Sequence, residues 1–353
     1  MKTMHKFLFI LILLPIVGKA FNGDKDFTKE KNITKVFSVN SESTLAVSNS
    51  YGNINVYLWD ENKISIQVQI KVSGNSEKRV IERLEDIDVN FNNTSSRVMA
   101  ITELNGTNWR GNSNLSYEIN YIVKIPRNAS VDLTNKYGNI SIDKLNGNLD
   151  IDCKYGSLFL GQINGKTNRI SVAYSQNSSI ASIEKLQLNS QYSEIDITNG
   201  EQINVSGNYN TINYQAFNSL QVSSNYTKIK GSTVSKTTIS GNYLTIKLGT
   251  VDHSAAINSN YSDIQLDTNS KTDLIEINGN YSNSKITLGP DFAFDLKLNM
   301  KYGTFKENLG MRLKYTDKYE KNNTKIFTGY HISSGKAKVS ITTNYGNVQL
   351  LNQ

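Results

Sequence analysis

The stretch that decides the fold is residues 203–246, which contain INVSGNYNTI at 203–212, LQVSSNYTKI at 220–229 and TTISGNYLTI at 237–246. Each copy begins 17 residues after the copy before it. Aliphatic and polar residues alternate in the first half of each copy, which is the period of a half-buried β-strand. A tyrosine then interrupts the alternation, and an aliphatic residue three positions later opens a second short strand. Each copy therefore predicts two short strands separated by a bend.

The same frame recurs along most of the chain, with an aliphatic residue four positions before each tyrosine. It is marked by twelve of the 19 tyrosines: Tyr51, Tyr137, Tyr155, Tyr174, Tyr192, Tyr209, Tyr226, Tyr243, Tyr261, Tyr281, Tyr302 and Tyr345. From Tyr137 to Tyr302 the spacing is 17 to 21 residues. Two short strands cannot bury a hydrophobic face alone, whereas stacked copies can. The period predicts an all-β fold with a parallel β-solenoid over residues 131–310. An antiparallel sandwich is the alternative, but it gives no reason for the recurring tyrosine.

The flanking segments carry the frame only once each and are predicted to cap the solenoid. Residues 21–130 contain the long alternating stretches Lys63–Val72 and Ser116–Ile125, which predict strands of a β-rich N-terminal cap. Between them, Ser76–Ile87 predicts one short amphipathic helix with Ser76 as its N-cap. Its expected apolar stripe consists of Val80, Ile81, Leu84 and Ile87. Residues 311–353 are expected to form a closing hairpin and cap.

Residues 1–20 have the pattern of a secretory signal peptide. Lys2 and Lys6 precede the apolar run Phe7–Val17, and Gly18-Lys19-Ala20 provides a cleavage site with small residues. The run is too short to cross a bilayer as a helix. We therefore expect an exported protein, in the periplasm or at the cell surface, with no transmembrane span in the mature chain.

The residue types needed for several kinds of chemistry are scarce. The single cysteine, Cys153, excludes a disulfide framework and a cysteine-based metal site. Outside the leader the only histidines are His253 and His331, and the solenoid keeps His253 far from Cys153. The net charge of +7 includes three leader lysines, so it does not indicate a basic surface that binds nucleic acid. No catalytic residue, cofactor or metal site is predicted, and we expect the protein not to be an enzyme.

Two carboxylate pairs are the residues that would contradict this expectation, because polysaccharide hydrolases use paired carboxylates. Asp150 and Asp152, like Glu194 and Asp196, lie two residues apart on a predicted strand and so face outward together. Neighbouring repeats carry lysine or neutral residues at the positions of the second pair, which indicates a solvated surface of mixed charge. A calcium site at the first pair stays open as an alternative.

Two columns at the bends are predicted to be structural. Each tyrosine follows its aliphatic residue by four positions, so both side chains would lie on the same side of an extended strand. We therefore expect the rings to lean into the core and to stack. An exposed aromatic platform for sugar rings is the alternative. A second column immediately precedes five of the tyrosines and predicts a ladder of amide hydrogen bonds. Its members are Asn208, Asn225, Asn242, Asn260 and Asn280.

The outward positions of the strand before each tyrosine are polar but uncharged. They are Gln187, Asn189, Asn204, Ser206, Gln221, Ser223, Thr238, Ser240 and Asn258. Amide and hydroxyl groups can donate and accept hydrogen bonds, which suits carbohydrate recognition. We take this polar face as the candidate binding face, with a purely solvated surface as the alternative.

The repeat motifs resemble a known family. Ser50-Tyr51-Gly52-Asn53-Ile54 recurs as Lys136–Ile140 and Asn344–Val348, and the turn Tyr57-Leu58-Trp59-Asp60 precedes a long alternating strand. Together with the leader, these motifs resemble the exported β-strand-repeat proteins of the bacterial envelope that are named "putative adhesins". The resemblance implies a right-handed parallel β-helix and a structural or adhesin-like role, with a glycan or an envelope protein as partner. A carbohydrate-active hydrolase or lyase, and a periplasmic partner or sensor in an envelope regulatory system, are the alternatives.

Overall fold

A computed structural model describes residues 27–106, 114–307 and 313–352, so the predicted signal peptide lies outside the described residues. The described residues are almost entirely β. Their 26 strands form a single mixed sheet, and there is one helix. The elements are β1 (Phe27–Ser38), β2 (Thr44–Ser50), β3 (Ile54–Trp59), β4 (Lys63–Gly74), α1 (Glu77–Glu85), β5 (Ile87–Asn93), β6 (Arg97–Leu104), β7 (Ser116–Pro126), β8 (Ser130–Lys136), β9 (Ile140–Leu145), β10 (Leu149–Lys154), β11 (Leu158–Ile163), β12 (Asn168–Ala173), β13 (Ser178–Gln191), β14 (Glu194–Asn208), β15 (Thr211–Asn225), β16 (Lys228–Asn242), β17 (Thr245–Asn260), β18 (Asp263–Thr268), β19 (Leu274–Asn280), β20 (Asn283–Leu288), β21 (Phe294–Lys301), β22 (Phe305–Glu307), β23 (Leu313–Lys321), β24 (Thr324–His331), β25 (Ala337–Asn344) and β26 (Val348–Asn352).

Successive repeats stack in parallel, as the tyrosine period predicts. β8, β10, β12 and the second half of β13 pair in parallel, and so do β9, β11 and the first half of β13. From β13 to β16 the strands are 14 to 15 residues long and pair in parallel along most of their length. The register is one repeat, so that Gln187 pairs with Asn204 and Asn204 with Gln221. We call these strands, together with β2, β3, β17–β22, β25 and β26, the parallel stack.

The core runs through the whole parallel stack because each repeat contributes aliphatic side chains at matching positions. One such column is Ile195, Ile212, Ile229, Ile246 and Ile264, all at most 2% exposed. A single cluster of buried residues joins these columns from the N-terminal strands to β26. Burial of aliphatic surface between repeats is the main favourable term that holds the repeats together.

The N-terminal strands add antiparallel pairs, which is why the sheet as a whole is mixed. β2 and β3 pair in parallel with β8 and β9, so the repeat around Tyr51 belongs to the parallel stack. β6 and β7 extend this end in parallel, whereas β4 pairs antiparallel with β7 and β1 antiparallel with β4. No helix among the described residues is long and apolar enough to cross a membrane.

The helix differs from the predicted one in length and in the side chains that it buries. Ser76 has the extended backbone of an N-cap residue, but its side chain makes no capping hydrogen bond. The helix ends at Glu85, and Ile87 already belongs to β5. Val80 is buried while Ile81 is 40% exposed. The predicted stripe is therefore wrong in part, because the helix buries Val80 and Arg83 and turns Ile81 toward solvent.

The strands after β22 do not follow chain order in space. β23 and β24 form the predicted hairpin, which pairs antiparallel with β21. β25 then lies between β19 and β21, and β26 lies between β20 and β22, all in parallel. Residues 337–352 thus form a repeat inside the parallel stack, whereas a closing position was expected for the whole segment 311–353.

Candidate functional site

A groove of about 550 Å³ crosses the outer face of five neighbouring strands, β10 and β12 to β15. Six of the nine residues of the predicted polar face line it: Gln187, Asn189, Asn204, Ser206, Gln221 and Ser223. Thr238, Ser240 and Asn258 continue the same two columns on β16 and β17, beyond the groove lining. The structure thus brings the predicted residues together on one face and divides them into a groove and its continuation.

The amide side chains in the groove are available to a ligand. Those of Gln187, Asn189, Asn204 and Gln221 make no hydrogen bond with any other described residue, although neighbouring strands place them in register. Ser206 donates its hydroxyl to the carbonyl of Leu188 at 3.3 Å. A column of three free amides, Gln187, Asn204 and Gln221, therefore faces solvent along the groove, with the free amide of Asn189 beside it.

One end of the groove carries charge that the sequence reasoning did not place there. Asp150, Arg169 and Ser171 line this end. Arg169 lies in register with Asp150, and its Nη2 and Nε atoms donate to Asp150 Oδ2 at 2.6 and 3.1 Å. Asp152 contacts Lys154, with 3.6 Å between Oδ2 and Nζ. We did not expect an arginine beside this carboxylate pair from the sequence, but the 19-residue repeat sets Arg169 in register with Asp150.

The carboxylates do not gather into a larger cluster. Asn213 Nδ2 donates to Asp196 Oδ1 at 2.7 Å. Among the described residues, no group of three or more histidines, cysteines or acidic residues is close enough to hold a metal ion. Pairs with lysine, arginine or asparagine partners on an exposed surface contribute little to stability and suit a solvated face.

The cysteine and the histidines lie apart. Cys153 is fully buried, and burial, with a smaller contribution from Asp152, raises the pKa of its thiol to about 12. His331 is buried in β24, where its Nδ1 lies 3.1 Å from the carbonyl oxygen of Phe292. His253 Nδ1 lies 3.5 Å from Asp273 Oδ2 at the surface. A protonated thiol without a basic partner is a packing residue and a poor nucleophile.

The tyrosines form a continuous ladder, but its rings point outward. All twelve have left-handed backbone, with φ between 50° and 64°. Eleven of them, from Tyr137 to Tyr345, are 42% to 50% exposed. Neighbouring rings are stacked, with centroids 4.7 to 5.2 Å apart and planes within 22°. The expectation that the rings lean into the core is wrong, because a positive φ breaks the alternation of a strand and turns the side chain outward.

The stacking leaves no free ring faces along the ladder. Each inner ring is covered on both sides by its neighbours, so only ring edges and hydroxyl groups meet solvent. A sugar ring packs against the face of an aromatic ring, so the inner ladder does not provide the aromatic platform considered as an alternative. At one end, Tyr117 meets Tyr51 edge-on, with 4.8 Å between centroids. Burial and a hydrogen bond with Tyr51 raise the pKa of Tyr117 to about 12.

The predicted asparagine ladder is confirmed and has a sixth member. Beyond Asn208, the side-chain Nδ2 of each member donates to Oδ1 of the asparagine in the neighbouring repeat at 2.8 to 3.1 Å. The ladder runs through Asn208, Asn225, Asn242, Asn260, Asn280 and Asn344. It lies next to the tyrosine ladder and fixes the bend at which the left-handed residue occurs.

No protein-family model matches the sequence, and no curated protein matches it. Solved structures align over most of the chain at low identity. A "putative cell adhesion protein" from Clostridium sporogenes ATCC 15579 is 10% identical, with 92% of this chain and 100% of that chain covered and a TM-score of 0.21. A "putative lipid binding protein" from Parabacteroides distasonis ATCC 8503 is 9% identical, with 91% and 96% covered and a TM-score of 0.36. A "putative adhesin" from the same organism is 10% identical, with 91% and 97% covered and a TM-score of 0.33. At these TM-scores the likenesses carry no argument about this chain.

Proposed function

We propose that this protein is a non-enzymatic, exported binding protein that holds an extended, uncharged carbohydrate chain along the groove of its polar face. The observation that carries the proposal is the groove of about 550 Å³ lined by six uncharged amide and hydroxyl side chains. The adhesin-like role follows from this binding, since a protein at the cell surface would attach the cell to the carbohydrate that it holds.

The chemistry of the groove favours a neutral polymer over a charged one. Amide groups donate and accept at once, as sugar hydroxyls do, and four of them are free of partners within the described residues. The one arginine at the groove is already paired with Asp150. A long ligand would continue past the groove along Thr238, Ser240 and Asn258, which extend both columns.

The fold and the compartment belong to the same proposal. The parallel pairing of successive repeats supports a β-helix, and the strong preference of parallel connections for one hand supports a right-handed one. The leader-like residues 1–20 support export to the periplasm or the cell surface. The ion-paired carboxylates and the buried thiol support a protein without catalysis.

Binding can be tested with a panel of neutral and acidic oligosaccharides and isothermal titration calorimetry. We expect Asn204→Ala combined with Gln221→Ala to weaken binding of a neutral ligand about thirtyfold, because each of the two amides loses a hydrogen bond worth about 1 kcal/mol. With a short oligosaccharide that does not extend beyond the groove, Thr238→Ala combined with Asn258→Ala is the matched control, since both residues lie on the same face outside the groove lining.

Two results would contradict the proposal. Equal loss of affinity in both double variants would show that the groove is not the binding site. Release of shorter sugars from the panel, measured by reducing-end assay and abolished by Asp150→Asn, would identify an enzyme.

A further inference from the structure

The repeat formed by β25 and β26 fills a slot between two repeats that precede it in the chain. β25 pairs in parallel with β19 on one side and with β21 on the other. β26 does the same between β20 and β22. The ring of Tyr345 lies between those of Tyr281 and Tyr302, with 4.8 Å between centroids on each side. The segment 337–352 is therefore an inserted repeat, and each neighbouring strand bonds to it along one edge.

The inserted repeat fills the slot with buried aliphatic side chains and continues the asparagine ladder through it. Val339, Ile341, Val348 and Leu350 are fully buried in it. Asn344 Nδ2 donates to Asn280 Oδ1 at 2.8 Å and so continues the asparagine ladder. Without the inserted repeat, two strand edges and a strip of the core would be exposed, which is the usual cause of strand exchange and aggregation.

A short linker joins the inserted repeat to the hairpin, and its Gly335 N donates to Asp295 Oδ2 of β21 at 3.0 Å. Phe294 pairs with His331 on one side of β21 and with Ala337 on the other, so residues 332–336 cross the end of β21. Ile332 is 50% exposed and has a φ of 62°. Gly335 has a φ of 81°, and nothing lies within 4 Å of the position of a β-carbon there. Such a segment can change its backbone direction at little cost, as a hinge does.

We propose that the slot is also an interaction site for a second copy of this chain, in which residues 337–352 are exchanged between two molecules. Each copy would then fill the slot of the other with the same strand pair, the same buried aliphatic residues and the same tyrosine and asparagine. Exchange of an identical element needs no new interface, so it is an inexpensive route to a dimer. The proposal is independent of carbohydrate binding.

The monomer competes with the dimer through the linker. A tether of five residues keeps the segment near its own slot at a high effective concentration, so dilute folding favours the closed monomer. The other described strands are local to one another in the chain and β25 and β26 come last, so the slot can be open while the segment is still undocked. Folding at high protein concentration should therefore allow the segment of a neighbouring molecule to enter first.

Paired cysteines can distinguish the two arrangements in the full chain, in a Cys153→Ser background. Asn278→Cys with Thr342→Cys places one cysteine on β19 and its register partner on β25. Ser223→Cys with Ser240→Cys is the matched control, because β15 and β16 are sequential and always belong to one molecule. Each variant is refolded from denaturant at low and at high concentration, oxidised, separated by size and run on a non-reducing denaturing gel.

We expect the dimer fraction from concentrated refolding to contain covalent dimers in the Asn278→Cys/Thr342→Cys variant and only covalently closed monomers in the control. If dimers form but the disulfides in both variants lie within one chain, the proposal is overturned, because the copies would then associate by their surfaces. The absence of any dimer at high concentration would overturn it as well.

Deletion of residues 332–335 provides a second test that does not depend on refolding conditions. One remaining linker residue spans at most about 7 Å between the flanking Cα atoms. The strands on either side of β21 lie about 10 Å apart. The segment then cannot reach its own slot, so we expect a stable dimer by light scattering. A monomer whose residues 336–352 are rapidly cleaved by protease would contradict the exchange.

Discussion

The ring of Tyr281 stacks on the ring of Tyr345 with 4.8 Å between centroids and 5° between planes, although the hairpin and the Tyr302 repeat lie between them in the chain. The ladder therefore follows the order of the repeats in space and ignores their order in sequence. The left-handed backbone at each tyrosine costs about 1–2 kcal/mol. A stacked aromatic pair contributes about 0.5–1.5 kcal/mol, so the ladder offsets the strain of its own bends.

This balance predicts an unusual ranking of substitutions at Tyr226, which stacks on Tyr209 and Tyr243 at 4.7 Å on each side. Tyr226→Ala loses both stacks and keeps the strain, so we expect a loss of about 1–3 kcal/mol in the free energy of unfolding. Tyr226→Gly loses the stacks but relieves the strain, so it should be less destabilising by about 1 kcal/mol. Urea unfolding measures both. Tyr319→Ala is the control, since Tyr319 is exposed outside the ladder. Equal stability of the alanine and glycine variants would show that the left-handed backbone at residue 226 is not strained.

A second prediction concerns the glycine that follows a ladder tyrosine. A β-carbon at Gly156 would lie 1.9 Å from the backbone oxygen of Gly138. Gly156→Ala must therefore push two repeats apart, and we expect a loss of about 3 kcal/mol, measured by thermal unfolding. Gly335→Ala is the comparison, because its β-carbon would meet open space and only backbone strain is added. A Gly156→Ala protein as stable as Gly335→Ala would show that the repeats are not in contact at this bend.

The asparagine ladder predicts a cost for removing an inner member. Asn242 donates to Asn225 and accepts from Asn260 at 3.1 and 3.0 Å. Asn242→Ala removes both bonds and leaves Asn260 Nδ2 without its acceptor, while Asn225 Oδ1 keeps the backbone N–H of residue 242, so we expect a loss of about 1–2 kcal/mol in chemical denaturation. Asn189→Ala should change stability by less than about 0.5 kcal/mol, because the Asn189 amide has no partner among the described residues. A loss of the same size in both would argue against the ladder.

The buried thiol predicts a stability that depends on alkaline pH. Burial raises the pKa of Cys153 from 9.0 to about 12, so between these values the unfolded chain gives up the thiol proton while the folded chain keeps it. The contribution of Cys153 to the free energy of unfolding is complete below about pH 9 and falls as pH rises toward about 12. The difference in unfolding free energy between the native chain and Cys153→Ser should therefore shrink from pH 8 to pH 11. If this difference in unfolding free energy stays constant from pH 8 to pH 11, the thiol of Cys153 is exposed to water in the folded chain.

Local periodicity predicted what neighbouring repeats share. The tyrosine frame fixed the register of the parallel strands, and with it the amide ladder of Asn208 and its successors. The same reasoning failed where the backbone leaves the strand conformation. The alternation of side chains predicted that the tyrosine rings face the core, which holds only for extended backbone. The positive φ at each tyrosine turns the ring to the opposite side.

The parts that could not be predicted depend on relations between distant segments. The polar face was chosen by outward parity, which selected six residues of the groove but not Arg169. The arginine joins Asp150 only because the repeat there is 19 residues long. The insertion of β25 leaves no mark in the sequence, because every repeat offers the same edges and the frame at Tyr345 would fit at several places in the parallel stack.

The tyrosine ladder also gives the protein a built-in optical signal. Phenol chromophores held 4.7 to 5.2 Å apart with nearly parallel planes are coupled absorbers, and their circular dichroism in the near ultraviolet depends on how many stay aligned. Loss of the repeat at Tyr345 would divide the aligned column and reduce this signal more than the removal of one isolated chromophore. The spectrum of the native chain therefore reports on the continuity of the whole stack without any added label.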